Sequence, residues 1–192
     1  MKLTKVQAQV RIQSIEAQLT AAIHAAWTKF QATRAQFDRP TPRTIANVLN
    51  NHVEDEIRTA LSGVPGVNIL DKDGRFLVGF SGLLLRFKKV DSEYRTRNYR
   101  TPSSVRFDRQ ERLPGIGDFP RLTVGYRLGR LADKLLEIVV IYAKGRRVDF
   151  VLPLAGNAAP TQLPLRPAAS QPARVRVRST AAKRQKSGPD QG

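Results

Sequence analysis

The chain has 192 residues, no cysteine, and 33 Lys and Arg against 16 Asp and Glu, for a net charge of +17. That length buries one ordinary core with tails to spare. The lack of cysteine excludes disulfides and cysteine-ligated metal centres, and His24 and His52 alone are too few for an imidazole cage; no metal site and no cofactor is assigned.

No apolar run approaches the length of a membrane span, and polar Gln and Arg recur from the start of the chain. The expectation is a cytoplasmic protein with no membrane partner and no signal-peptide layout. Residues 3–30 carry Ile12, Ile15, Leu19, Ile23, Ala26, Trp27 and Phe30 at steps of three and four, the stripe of one long amphipathic helix. Its length leaves two uses open: packing along the core, or a homodimer contact. A second helix is capped by Thr41, carries Pro42 in its first turn, and ends at Gly63. Ile45, Val48, Leu49, His52, Val53, Ile57 and Leu61 share one face of it.

The pattern then changes to strands over residues 67–70, 75–80 and 83–90, with the Asp71-Lys72-Asp73-Gly74 turn between the first two. Thr101-Pro102 opens a short helix to about Glu111, with Val105 turned inward. Residues 121–128, 135–143 and 147–152 read as three more strands, the last pair joined at Lys144-Gly145-Arg146. The predicted fold is α+β: N-terminal helices, then two antiparallel three-strand meanders separated by a short helix. The predicted organisation is an N-terminal helix (1–40), an α+β core (41–154) and a basic tail (155–192). The tail has almost no large apolar side chains, so its composition predicts disorder. It carries +6, which leaves +11 on residues 1–154.

Between Arg86 and Arg130 stand twelve basic and five acidic residues, interleaved with aromatics. Arg86, Lys88, Lys89, Arg95, Arg97, Arg100, Arg106 and Arg109, with Tyr94, Asn98 and Tyr99, are the candidate contacts to nucleic acid. Guanidinium forks grip phosphates, and tyrosine rings stack on bases. The bland reading is a solvated loop with local ion pairs.

A helix, three strands, a helix and a further strand also follow the order of the PD-(D/E)xK nuclease core. There a helix carboxylate, a strand aspartate and a Glu-x-Lys hold Mg²⁺. Glu54, Glu56, Asp71 and Asp73 offer carboxylates, but the third strand reads Arg86-Phe87-Lys88, with arginine in place of the metal-binding glutamate. No Ser elbow or P-loop is present, and no catalytic residue is assigned.

The series Arg86 to Lys89, Asn98 with Thr101, FDRQ at 107–110, LPG at 113–115 and TVGY at 123–126 resembles small uncharacterised bacterial proteins. These are encoded beside helix-turn-helix regulators and ImmA/IrrE-type metallopeptidases. The resemblance covers residues 66–154. It implies a phage or mobile-element setting and brings no activity with it. The expected function is non-catalytic binding of nucleic acid through the Arg/Tyr-rich face. A degenerate metal-dependent nuclease and a basic regulator of an acidic partner protein are the alternatives.

Overall fold

The structure is a computed structural model that describes residues 3–38, 40–72, 74–96 and 101–155. Arg97, Asn98, Tyr99, Arg100 and Asp73, and the tail beyond Ala155, lie outside the described residues. The elements run α1 (Lys5–Ile12), α2 (Glu16–Arg34), α3 (Pro42–Leu61), β1 (Val67–Lys72), β2 (Arg75–Phe80), β3 (Leu83–Val90), α4 (Pro102–Asp108), β4 (Arg121–Leu128), β5 (Leu135–Lys144) and β6 (Arg147–Pro153).

Both expected meanders form, and they fuse into one six-stranded sheet in sequence order. Every neighbouring pair is antiparallel except β3 and β4, which run parallel from Leu84↔Arg121 to Val90↔Arg127. A parallel pair needs a crossover, and the segment containing α4 supplies it. The order α3-β1-β2-β3-α4-β4 therefore ends in a parallel closure, which strand patterns alone cannot distinguish from two separate sheets.

The first helix is broken where an unbroken one is expected: residues 13–15 form a 3₁₀ turn between α1 and α2. Ala8, Ile12, Ile15 and Leu19 are all fully buried, so the tightened turn keeps one apolar stripe inward while the axis shifts. Thr4 opens α1 with a capping box shared with Gln7. α3 begins as its sequence demands, with Thr41 Oγ1 accepting from the Thr44 amide. His52, on the α3 stripe, is half-buried and lies 3.2 Å from Thr33 Oγ1 of α2, so it joins the two helices.

One face of the sheet and the three long helices share a single core. Ile12, Leu19, Phe30, Leu49, Val53 and Ile57 meet Val78, Leu85, Phe87, Val124, Tyr126 and Val140 there. The opposite face is covered in two smaller clusters. Leu77 and Leu84 pack with Phe107 of α4 and Leu113, while Val90, Val139 and Ile141 pack with Tyr94. α4 is shorter than expected, because Gln110 takes a left-handed φ of 60° and turns the chain. Phe107 is its buried anchor, and Val105 is half-buried. No helix among the described residues is long and apolar enough to cross a membrane.

Candidate nucleic-acid interface

The candidate residues separate into three groups. Arg86 and Lys88 leave β3 on one side, as strand alternation requires, and then find different partners. Arg86 is 13% exposed; its Nε donates to Thr123 Oγ1 at 2.9 Å and its Nη2 to Asp108 Oδ1 at 2.5 Å. Its guanidinium also lies 4.3 Å from the centre of the Phe107 ring. Burial holds the Arg86 pKa below the ordinary arginine value, against the opposing pull of Asp108. Arg86 is thus an internal clamp between β3, β4 and α4.

Lys88 reaches the other way. β2 pairs with β3 only as far as Leu85, and α3 meets the remainder of β3. There Lys88 Nζ donates to Asn50 Oδ1 at 3.2 Å, while Asn50 Nδ2 donates to Glu54 Oε1 at 2.5 Å. Burial lowers the Lys88 pKa, Glu54 opposes the shift, and Arg86 adds to it. The Tyr126 hydroxyl, fully enclosed nearby, is pushed well above its usual value by burial and by Glu54.

A lysine with a depressed pKa holds fewer protons folded than unfolded, so its contribution to stability rises with pH up to the unfolded value of 10.5. Lys88→Met removes that rise. Wild type should therefore gain stability relative to Lys88→Met between neutral pH and the lysine's unfolded value. Urea unfolding of both proteins at each end of that window measures the difference, and parallel profiles would refute the burial argument. Tyr126 acts in the opposite sense in both proteins, because its raised pKa costs stability once pH passes 10.0.

The motif residues of the resemblance serve this same packing. Phe107 and Asp108 hold Arg86, Leu113 is buried beneath α4, Thr123 accepts from Arg86, and Thr101 caps α4. Gly125 is a glycine for lack of room: a Cβ there would stand 2.9 Å from Ile141 Cδ1 and 3.0 Å from Val90 Cγ1. Gln110 bridges two strands, with its Nε2 donating to the carbonyls of Arg121 and Ala143 and its Oε1 accepting from the Arg121 amide.

The second group lies beyond the end of β3. Asp91 Oδ1 accepts from the amides of Glu93 and Arg95, which folds the segment into a turn. Tyr94 has a φ of 59° and packs its ring on the Val90 cluster, Arg95 is exposed and pairs with Glu93 at 3.0 Å, and Lys89 is half-buried. The remaining members of this segment, Arg97, Asn98, Tyr99 and Arg100, are those outside the described residues.

The third group is exposed and gains neighbours that the sequence does not announce. Arg106 lies in the last turn of α4 and Arg109 caps its end, with Arg112 just beyond. The Gly145 amide donates to the Asp108 carbonyl at 2.7 Å, which pins the β5–β6 turn against the end of α4. Lys144, Arg146 and Arg147, all exposed, thereby join the three arginines on one basic ridge. Long-range bonds make this cluster, from Gly145 to Asp108 and from Gln110 to Ala143, and no local pattern in the sequence signals it. Glu111 lies 3.6 Å from Arg109, and Asp149 accepts from Arg147 at 2.8 Å. Among the described residues no acid pairs with Arg106, Arg112, Lys144 or Arg146.

Compared with known proteins, the chain matches no family model, no curated protein and no solved structure.

Proposed function

We propose that this chain is a non-catalytic nucleic-acid-binding protein whose contact surface is the basic ridge formed by the end of α4 and the β5–β6 turn. The observation that carries the reading is the Gly145–Asp108 hydrogen bond, which gathers six exposed cations from two distant stretches. Phosphate contacts supply most of the affinity in such a surface, and base contacts are not required. Arg106 and Arg109 of the sequence-derived set belong to this surface, whereas Arg95, turned back on Asp91 beyond the far end of β3, does not. Arg86 and Lys88 are not part of it and instead hold α4 and α3 to β3. The resemblance to proteins of mobile-element neighbourhoods gives the setting, and the basic tail adds a loose electrostatic contact.

Binding to duplex DNA and to single-stranded RNA should weaken steeply between about 50 and about 200 mM salt. The triple variant Arg106→Ala, Arg109→Ala, Arg112→Ala should flatten the log–log salt slope on duplex by about 0.9 for each phosphate that is no longer neutralised. Absent or salt-independent binding rejects the proposal. Retention of one stoichiometric acidic protein without nucleic acid would reassign the ridge to a protein partner.

One observation favours the degenerate-nuclease reading as second choice. Glu54 and Lys88 are drawn together through Asn50 on an α-β-β-β-α-β frame. Against it, the guanidinium of Arg86 stands at the metal carboxylate's place and is committed to Asp108. Adding Mg²⁺ or Mn²⁺ to the same binding mixtures decides it. Cleavage that disappears in Glu54→Gln and Lys88→Met would displace the non-catalytic reading.

A further inference from the structure

Beside the ridge, at the start of β4, lies a groove of about 690 Å³. At its base is Arg121, which is only 1% exposed. Among the described residues, neither its Nε nor its Nη2 has a hydrogen-bond acceptor. Its nearest acid, Asp118, stands 3.7 Å from Nη2 and is 77% exposed. An enclosed guanidinium without acceptors is costly, and a loose carboxylate at the surface offsets little of that cost. The backbone around it is fixed, since Gln110 bonds both the amide and the carbonyl of Arg121. The strand start that carries the guanidinium is therefore fixed, while its Nε and Nη2 are left without a hydrogen-bond acceptor among the described residues.

The walls match an anion. Arg11 of α1, Lys144 and Arg147 line the groove with Arg121, against the two carboxylates Asp118 and Asp149. Asp149 is engaged with Arg147. On the rim is Phe119, a ring left 43% exposed. It lies flush over Gly117, where an added Cβ would come within 2.6 Å of the ring. A buried fork with an aromatic platform at the mouth pairs the two contacts that a nucleotide offers: a phosphate for the guanidinium and a base for the ring. The volume falls within the range of small-molecule sites.

We infer that this groove binds the phosphomonoester of a nucleotide, with Arg121 and Arg11 on the phosphate and Phe119 against the base. The groove shares Lys144 and Arg147 with the ridge, but Arg121, Arg11 and Phe119 belong to the groove alone. The same chemistry is offered by a free nucleotide and by the 5′-phosphate end of a strand.

The test uses the full chain and calorimetric titration at constant ionic strength with chloride as the counter-anion. Inorganic phosphate and adenosine monophosphate should bind saturably, and adenosine should not. Arg121→Lys keeps the charge but loses the fork, and should weaken both ligands by about tenfold or more. Arg11→Ala should weaken both, whereas Phe119→Ala should weaken adenosine monophosphate and leave inorganic phosphate unchanged. Should Arg121→Lys fail to fold, the Arg11 and Phe119 variants decide the matter. Tighter binding of a 5′-phosphorylated oligonucleotide than of its 5′-hydroxyl counterpart would identify a strand end as the source, and equal binding would identify the free nucleotide. No saturable binding of either phosphate ligand overturns the inference, as does binding unchanged by these substitutions. The Arg106, Arg109, Arg112 triple variant should still bind adenosine monophosphate, so failure of the ridge and failure of the groove are separately visible.

Discussion

Asp108→Ala should lower the unfolding free energy by about 2–4 kcal/mol, the cost of stranding a mostly buried guanidinium, reduced slightly because Asp108 itself is 23% exposed. Arg86 would keep Thr123 and the Phe107 ring, but it would lose its only carboxylate among the described residues. Arg86→Met should cost less, about 1–2 kcal/mol, since the carboxylate left behind can hydrate and methionine fills part of the space. The double variant Arg86→Met, Asp108→Leu should recover much of the loss, because an apolar pair of similar volume often replaces a buried ion pair at little net cost. Chemical denaturation of wild type, Arg86→Met, the single variant Asp108→Leu and this double variant completes a double-mutant cycle, and a coupling above about 0.5 kcal/mol is expected for groups in contact. A loss under about 0.5 kcal/mol in Asp108→Ala, the ordinary size of a surface substitution, would mean that the pair does not hold α4 to the sheet.

The same pair marks the boundary of what the sequence made legible. Elements with a clean period were readable: the α3 stripe from Ile45 to Leu61, the alternation in β3, and the Thr41 and Thr101 caps all have local causes. Pairing across the sheet was not readable. The parallel closure of β3 on β4 depends on where α4 delivers the chain, and that is fixed by the packing of Phe107 and Asp108 against residues some twenty positions away. In a sequence rich in arginine, Arg86 and Lys88 look like members of a binding face. Their direction depends on a carboxylate and an amide carried by other elements, Asp108 and Asn50. Ridge residues Lys144, Arg146 and Arg147 were missed for the converse reason, since a basic hairpin tip is unremarkable until Gly145 is bonded to α4. Arg121 gave no signal at all, because burial of a charged side chain at a strand's first residue leaves no periodic trace.

Gln110→Ala should be nearly as damaging as the loss of Asp108, by about 3 kcal/mol, although Gln110 is only half-buried. β4 and β5 pair from Leu122↔Tyr142 onward. One step further out, the side-chain amide of Gln110 takes the place of a peptide group, with bonds of 2.8, 2.9 and 2.8 Å to Arg121 O, Ala143 O and Arg121 N. Truncation strands these backbone groups at the end of the ladder and frees the start of β4. The residue bears this role at a left-handed φ of 60°, a conformation costing roughly 1–2 kcal/mol for an L side chain and nearly nothing for glycine. Gln110→Gly should thus lose the same three bonds yet remain more stable than Gln110→Ala by about 1 kcal/mol. That order reverses the usual ranking of alanine above glycine, so it distinguishes a strained residue kept for its amide from one kept for helix packing. Alanine more stable than glycine here would refute the argument. Amide exchange at Arg121 should quicken in both variants, because the acceptor for its N–H is the side chain that has been removed.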